Sequence, residues 1–494
     1  STLTFSADEA GRYFILISAT NAGGTTEKEI RIDVFQLDVP TISIADADKG
    51  FKVLQGSELT ITPIVDSFLE TSYSWQINGE DISNELTCTL PTIELGEYQV
   101  RFATHNEDGD DEVTFKVEVC SPDQVDFNWT FLQTEYNMSA GRTIRIKPVD
   151  VNNALDAVYT WTVDNEQVQS GENDTYLFTS EQQGEHTVKV EMRNSYILAT
   201  QTLKINVCPP AGTYQRKISA TSSASMNRVY EYLPAPGQFI NENHTTTTMA
   251  EACTYAEERI NQTAYVSLGG FGGYIIVGFD HSIVNDGDYN IAITGNAFDG
   301  SSEPGIVWVM QDENGDGLPN DTWYELRGSE YGKAETWQDY AVTYHKPTGI
   351  QLPTPWTDNH GQSGSIDYLG AFHRQDYYYP AWVKEKQYTL RGTRLKERNY
   401  DQSGNGTYWV NDSYEWGYAD NFSAIDRLTD DDNYNAGPSD NHFKISHAVT
   451  FDGKDANLKY VDFIKVQVGV NSKSGWLGEI STEVFGIKDF NMIK

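Results

Sequence analysis

The stretches Tyr73-Ser-Trp-Gln-Ile-Asn-Gly-Glu80 and Gly96-Glu-Tyr-Gln-Val-Arg-Phe-Ala-Thr-His-Asn106 decide the fold of the first two hundred or so residues. In both, large apolar side chains fall on every second position, Tyr73, Trp75 and Ile77 in one and Tyr98, Val100 and Phe102 in the other. That is the period of a β-strand with one buried face. The pattern recurs as Tyr159, Trp161 and Val163, as His186, Val188 and Val190, and as Tyr13, Ile15 and Ile17. A common ruler governs all copies: Gly11, Gly96 and Gly184 are each followed ten positions later by Asn21, Asn106 and Asn194, and thirteen beyond those by Val34, Val119 and Val207. Short antiparallel strands with one central Trp per unit predict immunoglobulin-like sandwiches, with Trp75 and Trp161 filling their cores.

The ruler divides the chain into a partial unit over 1–35, full units over 36–120 and 121–208, and a larger domain over 209–494. Residues 1–35 carry only the back half of a unit. Leaving its apolar face in water costs about 25 cal/mol per Å², so the front half is expected upstream of Ser1, or the segment leans on a neighbour. Cys208-Pro-Pro-Ala-Gly212 marks the last boundary, because two prolines stiffen the chain and donate nothing to a ladder. Cys120 and Cys208 follow Val119 and Val207 at the same place in successive repeats. With Cys88 and Cys253 they form no CxxC pair, and no disulfide framework is expected.

Beyond Pro210 the composition shifts to Trp and Tyr. Runs such as Tyr274–Phe279, Tyr289–Thr294, Gly305–Met310 and Val461–Val470 read as strands, with one short helix over Met249–Ile260. The whole chain is therefore expected to be all-β: tandem sandwiches followed by a large jelly-roll-like sandwich whose excess length lies in loops. The glycines of Leu268-Gly-Gly-Phe-Gly-Gly-Tyr274 lack the Lys and the flanking elements of a phosphate loop, and are read as a tight bend into a buried strand.

Asp312-Glu-Asn-Gly-Asp-Gly-Leu-Pro-Asn-Asp321 has the spacing of a calcium loop. Asp312, Asn314 and Asp316 stand at positions 1, 3 and 5, Gly317 makes the turn, Leu318 offers its carbonyl, and Asp321 closes the set in place of a distal Glu. A structural calcium of weak affinity, about 0.1 to 1 mM, is the expectation. A second concentration of chemistry runs from Trp356 to Tyr418. His373, Arg374, Tyr377, Tyr378, Tyr379, Trp382, Trp409, Trp416 and Tyr418 are candidate ligand contacts, since Tyr and Trp offer rigid faces with a polar tip. The Tyr377–Tyr379 triplet is read as exposed because a strand cannot bury three consecutive side chains on one face.

A net charge of -37 argues against nucleic acid and anionic lipid as partners. No apolar run is long enough to span a bilayer as a helix, so membrane attachment is expected only through an anchor outside this sequence. GxSxG, HExxH and a Cys with a plausible His partner are absent, and the chain reads as a non-enzyme. A glycoside hydrolase would need two carboxylates facing each other across a cleft.

The segments "YSWQINGE", "GEYQVRFATHNEDGDDEVTFKVEV" and "AGRYFILISATNAGGTTEKEIRIDV" resemble the PKD-like domains of Bacteroidetes surface proteins. "YEYLPAPGQFIN", "VSLGGFGGYIIVGFD", "DENGDGLPNDTWYELRGSE", "WGYADN" and "VDFIKVQVGVNSKSGWLGEISTEV" resemble the domain that follows them, in particular the corrinoid-binding surface lipoprotein family of Bacteroides vitamin B12 uptake loci. This resemblance implies a monomeric cell-surface capture protein, anchored to the outer membrane, that delivers a corrinoid to a TonB-dependent transporter. A glycan-binding protein of a polysaccharide-uptake system and an adhesin are the alternative readings. His373 is a conceivable axial ligand for cobalt.

Overall fold

In a computed structural model, which describes residues 2–92, 94–194, 196–244, 246–428 and 438–494, the alternating stretches form antiparallel strands. Gly96–Asn106 pairs with Gly109–Cys120 on one side and Ser72–Ile77 on the other, placing Phe102 opposite Trp75. Trp75 is fully buried, its ring 4.5 Å from that of Phe102 and its Nε1 donating to the Glu85 carbonyl at 2.9 Å. Trp161, opposite Val190 in strand Val158–Val163, is buried as completely and stacks on Tyr176 at 5.5 Å. Both indoles are core.

The repeated Asn has a local cause. Asn106 Oδ1 accepts the N–H groups of Asp108 and Gly109 at 2.9 and 3.0 Å, Asn21 Oδ1 accepts that of Gly23 at 2.8 Å, and Asn194 Oδ1 accepts those of Tyr196 and Ile197, both at 2.9 Å. A short amide at the strand end thus closes each turn. Gly11–Asn21 and Gly24–Val34 form a hairpin paired along its whole length, with Phe14 and Leu16 exposed.

The chain divides into two compact units, Ser1–Thr134 with Lys147–Tyr176 and Thr187–Leu203, and Glu135–Ile146 with Leu177–His186 and Lys204–Lys494. The strands of the third repeat are shared between them. Cys120 and Cys208 are buried at the ends of Gly109–Cys120 and Leu198–Cys208.

The second unit is built on a six-stranded antiparallel sheet in the order Arg228–Leu233, Tyr274–Val284, Tyr460–Val468, Gly305–Met310, Trp323–Leu326, Ala448–Val449. Tyr460–Val468 is buried along almost its whole length, so both of its faces are covered. A four-stranded sheet, Ser363–Ile366, Thr354–Asp358, Trp337–His345 and Gln387–Arg394, is tied to it by Gln467 Nε2 donating to the Arg391 carbonyl at 2.9 Å and Thr393 Oγ1 donating to Glu325 at 2.5 Å. A three-stranded sheet of Ser439–Phe443, Ile291–Gly295 and Gly486–Asp489 joins the same apolar core. The all-β architecture is thus the one the alternation predicts.

Helix Met249–Asn261 is capped by Thr248, whose side chain accepts the Glu251 N–H, and buries Ala252, Ala256 and Ile260. Among the described residues no helix is long and apolar enough to cross a membrane. The glycine-rich bend turns where only glycine fits: a Cβ on Gly273 would stand 1.8 Å from the Leu268 carbonyl oxygen, and one on Gly269, at φ +71°, 2.1 Å from that of Ala235. No phosphate cradle is needed to explain it.

Four of the predicted ligand-contact aromatics belong to this interior. Tyr378, Tyr379, Trp382 and Tyr418 are 1%, 1%, 6% and 2% exposed. The premise that placed the tyrosine triplet outside fails because residues 371–380 are irregular rather than a strand, so consecutive side chains need not alternate between faces. The hydroxyls of the buried pair are satisfied inside, Tyr378 donating to the His373 carbonyl at 3.1 Å and Tyr379 to that of Glu385 at 3.0 Å.

Candidate functional site

Of the expected contacts, one lines a cleft in the second unit. Trp416, half-buried, faces a recess of about 300 Å³ together with Tyr289, Arg327, Asp426, His442, Lys444 and His447. These side chains come from the loop before strand Ile291–Gly295, from the end of strand Trp323–Leu326, from the irregular segment after Trp409–Asn411, and from the strand Ser439–Phe443 and the turn that follows it.

Asp426 organises the floor. Its buried carboxylate accepts the Gly417 N–H at 2.6 Å and the Asn441 amide at 3.0 Å. Its main-chain carbonyl accepts the His442 N–H and lies 2.8 Å from His442 Nδ1. A carbonyl only accepts, so Nδ1 carries the proton, and Nε2 of the neutral ring keeps its lone pair. Burial pushes the His442 pKa down, against the nearby Asp440 and Asp426. Burial likewise lowers the pKa of His447, and the positive charges of Arg327 and Lys444 add to the effect. Both imidazoles are therefore held neutral near pH 7. Burial has the opposite effect on Asp426, whose pKa rises.

The His447 ring lies 5.1 Å from that of Trp416. At the rim, Lys444 sits 4.7 Å over the Tyr289 ring and 3.7 Å from Asp288, while Arg327 pairs with Asp455 at 3.0 Å. The cleft thus combines an indole face, neutral imidazoles and cationic donors, a set that suits a flat ligand edged with carbonyl or hydroxyl groups.

The other predicted contacts lie elsewhere. His373 pairs through Nδ1 with Glu242 at 2.7 Å, makes an edge contact with Phe239 at 4.8 Å, and is not among the residues that line the Trp416 recess. Arg374 is exposed and donates to the Gly370 carbonyl at 3.2 Å. Tyr377 is half-buried beneath Lys346. The Trp409 indole packs so closely against Gly475 that a Cβ there would fall 2.2 Å from Nε1. The cleft residues missed from sequence are separated by up to about 160 positions in the chain, and only Asn441-His-Phe-Lys-Ile-Ser-His447, two histidines around a lysine, was a legible sign of them.

The acidic loop joins Gly305–Met310 to Trp323–Leu326. Asp312, buried, accepts the Gly315 N–H on one oxygen at 2.7 Å and the Gly317 N–H on the other at 3.0 Å. Asn314 Oδ1 accepts the Asp316 N–H at 2.9 Å, and Asp316 Oδ1 accepts the Leu318 N–H at 2.7 Å. Gly315, at φ +77°, admits the Tyr214 ring where a Cβ would stand 2.6 Å from it. Asp321 accepts the Glu313 N–H on Oδ2 at 3.0 Å, while its Oδ1 is buried without a hydrogen-bond partner. Burial, reinforced by Glu313, Asp312 and Asp316, pushes Asp321 up to about 8. Arg142 answers the charge of Glu313 at 3.1 Å but leaves Asp321 unpaired. An orphaned, buried carboxylate oxygen beside an Asx-turned acidic loop fits a hard cation.

The family profile described as "PKD-like domain" matches residues 39–106 and 131–194. Solved structures similar to this chain include the N-terminal Ig1-2 module of the Drosophila receptor protein tyrosine phosphatase DLAR, 11% identical, over 34% of this chain and 98% of that one, with a TM-score of 0.29. The fibronectin(III)-like modules of Clostridium thermocellum CbhA are 16% identical over 36% and 100%, with a TM-score of 0.17. The titin domains z1z2 solved with telethonin are 19% identical over 36% and 100%, with a TM-score of 0.15. No curated protein matches the chain.

Proposed function

We propose that the chain is a non-enzymatic cell-surface capture protein in which PKD-like domains act as the spacer and the C-terminal β-domain binds an extracellular corrinoid. The observation that carries this reading is the pairing of an indole face with a neutral imidazole, Trp416 beside His447, in one cleft. The ring of a corrinoid has broad faces and an amide-bearing rim. Trp416 and Tyr289 supply apolar surface to the former, and Arg327 and Lys444 supply donors to the latter. His447 offers a lone pair to cobalt when an axial position is exchangeable. A recess of about 300 Å³ takes the axial face or one edge of the macrocycle, and the rest lies over the rim. The same volume fits a single sugar ring stacked on Trp416, which makes a glycan the second reading.

In this reading the protein is a monomer anchored to the outer membrane, and it passes its ligand to a TonB-dependent transporter. A calcium ion held by Asp312, Asn314, Asp316, Asp321 and the Leu318 carbonyl supplies positive charge to the buried loop and stiffens the scaffold; it takes no part in ligand chemistry.

Calorimetry of the full chain with cyanocobalamin tests the proposal. Binding is expected, and Trp416→Ala should weaken it at least tenfold, in line with loss of a central aromatic anchor. With aquocobalamin the absorbance spectrum should shift, and His447→Ala should remove that shift. No heat at millimolar cobalamin, together with a glycan-array signal lost in Trp416→Ala, would move the assignment to a sugar. Silence in both would end the capture reading of this cleft.

A further inference from the structure

Away from the acidic loop and the cleft, Glu303, Asp420 and Glu483 come from three separate segments, yet one carboxylate oxygen from each lies within 4.8 Å of the other two. Asp420 is fully buried and Glu483 is 4% exposed. The arrangement is built by the backbone. Asp420 Oδ1 accepts the N–H groups of Asn296 and Ala297, both at 2.8 Å, and Oδ2 accepts the Glu483 N–H at 2.9 Å. Asp420 itself adopts φ +50°, unusual for a residue with a side chain. Gly295 leaves room for it, since a Cβ there would stand 2.5 Å from Asp420 Oδ1. Glu303 Oε1 lies 3.4 Å from the Ser481 N–H.

Nothing cationic answers these charges: among the described residues no Lys, Arg or His forms an ion pair with any of the three. Independently, Glu483 Oε1 is buried and has no hydrogen-bond partner. Glu479, on the same segment and 4% exposed, also has an unpartnered buried oxygen, Oε2. A shared proton would bridge only two of the three carboxyls and leave the third charge unanswered. An ion would satisfy several lone pairs at once and reverse the repulsion.

We propose that Glu303, Asp420 and Glu483 hold a divalent cation of the calcium class, at a site separate from the Asp312–Asp321 loop. The ligand set is all carboxylate, without His or Cys, which selects a hard ion over zinc or copper. The bound ion clamps the strand Glu483–Val484, the Asp420 segment and the entry to strand Gly305–Met310.

The test is the calcium content of the full chain, loaded with calcium chloride, dialysed, and measured by native mass spectrometry and elemental analysis. Glu303→Gln and Glu483→Gln, nearly isosteric and neutral, are each expected to lose one equivalent relative to wild type while keeping the far-ultraviolet circular dichroism spectrum. The double variant Asp312→Asn with Asp316→Asn provides an arm that leaves the trio intact, and it should still retain one equivalent. Wild-type calcium content in both Gln variants would overturn the proposal in favour of shared protons. Complete loss of calcium from the loop double variant would overturn it as well.

Discussion

Lys465 allows the electrostatics of the C-terminal core to be tested with a known sign. It lies in the central strand Tyr460–Val468, its ammonium 4.9 Å from the Trp308 ring, 5.1 Å from Trp323 and 5.7 Å from Tyr274. Burial lowers its pKa from 10.5 to about 8, although Glu231 and Glu325 pull it back up. A lysine whose folded pKa lies below its unfolded one costs stability while it is charged in both states. The cost is full below pH 8 and disappears as pH rises from 8 towards 10.5. At about 1.4 kcal/mol per unit, it amounts to about 3 kcal/mol at pH 7 and about 1 kcal/mol at pH 10. Lys465→Met keeps a long side chain among the rings and removes the charge. It forfeits cation–π attraction of about 1 to 2 kcal/mol, so the variant should be more stable than wild type by about 1 to 2 kcal/mol at pH 7. That advantage should shrink by about 2 kcal/mol by pH 10. Glu325, itself raised to about 7 by burial, is already ionised across most of this window and changes the slope mainly below it. Urea unfolding of both proteins at pH 7, 8.5 and 10 measures the difference. A stability gap between variant and wild type that stays constant from pH 7 to 10 would refute the reasoning, because it would mean that Lys465 titrates alike in folded and unfolded chains.

Two other outcomes follow from the geometry. Trp75→Ala should cost about 3 to 5 kcal/mol in denaturant unfolding of the first unit, since the indole is fully buried against Phe102 and leaves the Glu85 carbonyl unpaired; a loss under about 1 kcal/mol would mean the site collapses around the gap. Asp312→Asn combined with Asp316→Asn should lower the melting temperature in calcium but not in chelator, and an equal fall in both conditions would show that the loop holds no ion.

The strands of the sandwich repeats were legible because their constraint is local. A strand that buries one face must alternate, so Trp75 and Trp161 announce their roles, whereas Asn106 and Asn194 mark the repeat in the sequence and show the turns they close only in the structure. The Gly269–Gly273 bend was readable for the same reason. The aromatic rim was misjudged because Tyr or Trp composition says nothing about direction in an irregular segment. Tyr378 and Tyr379 are drawn inward by carbonyls that sit beside them only after folding.

Periodicity and spacing in the amino-acid chain alone thus determined the all-β class, the repeat units, the core tryptophans and the acidic loop, since each shows as alternation or fixed spacing along the chain. Which side chains share the Trp416 cleft, and that Glu303, Asp420 and Glu483 meet at all, was decided by the tertiary structure. Those groups are brought together by sheet pairing and burial between distant strands, and carboxylates so common in this chain acquire meaning only when the fold removes water and counter-charge from a particular few.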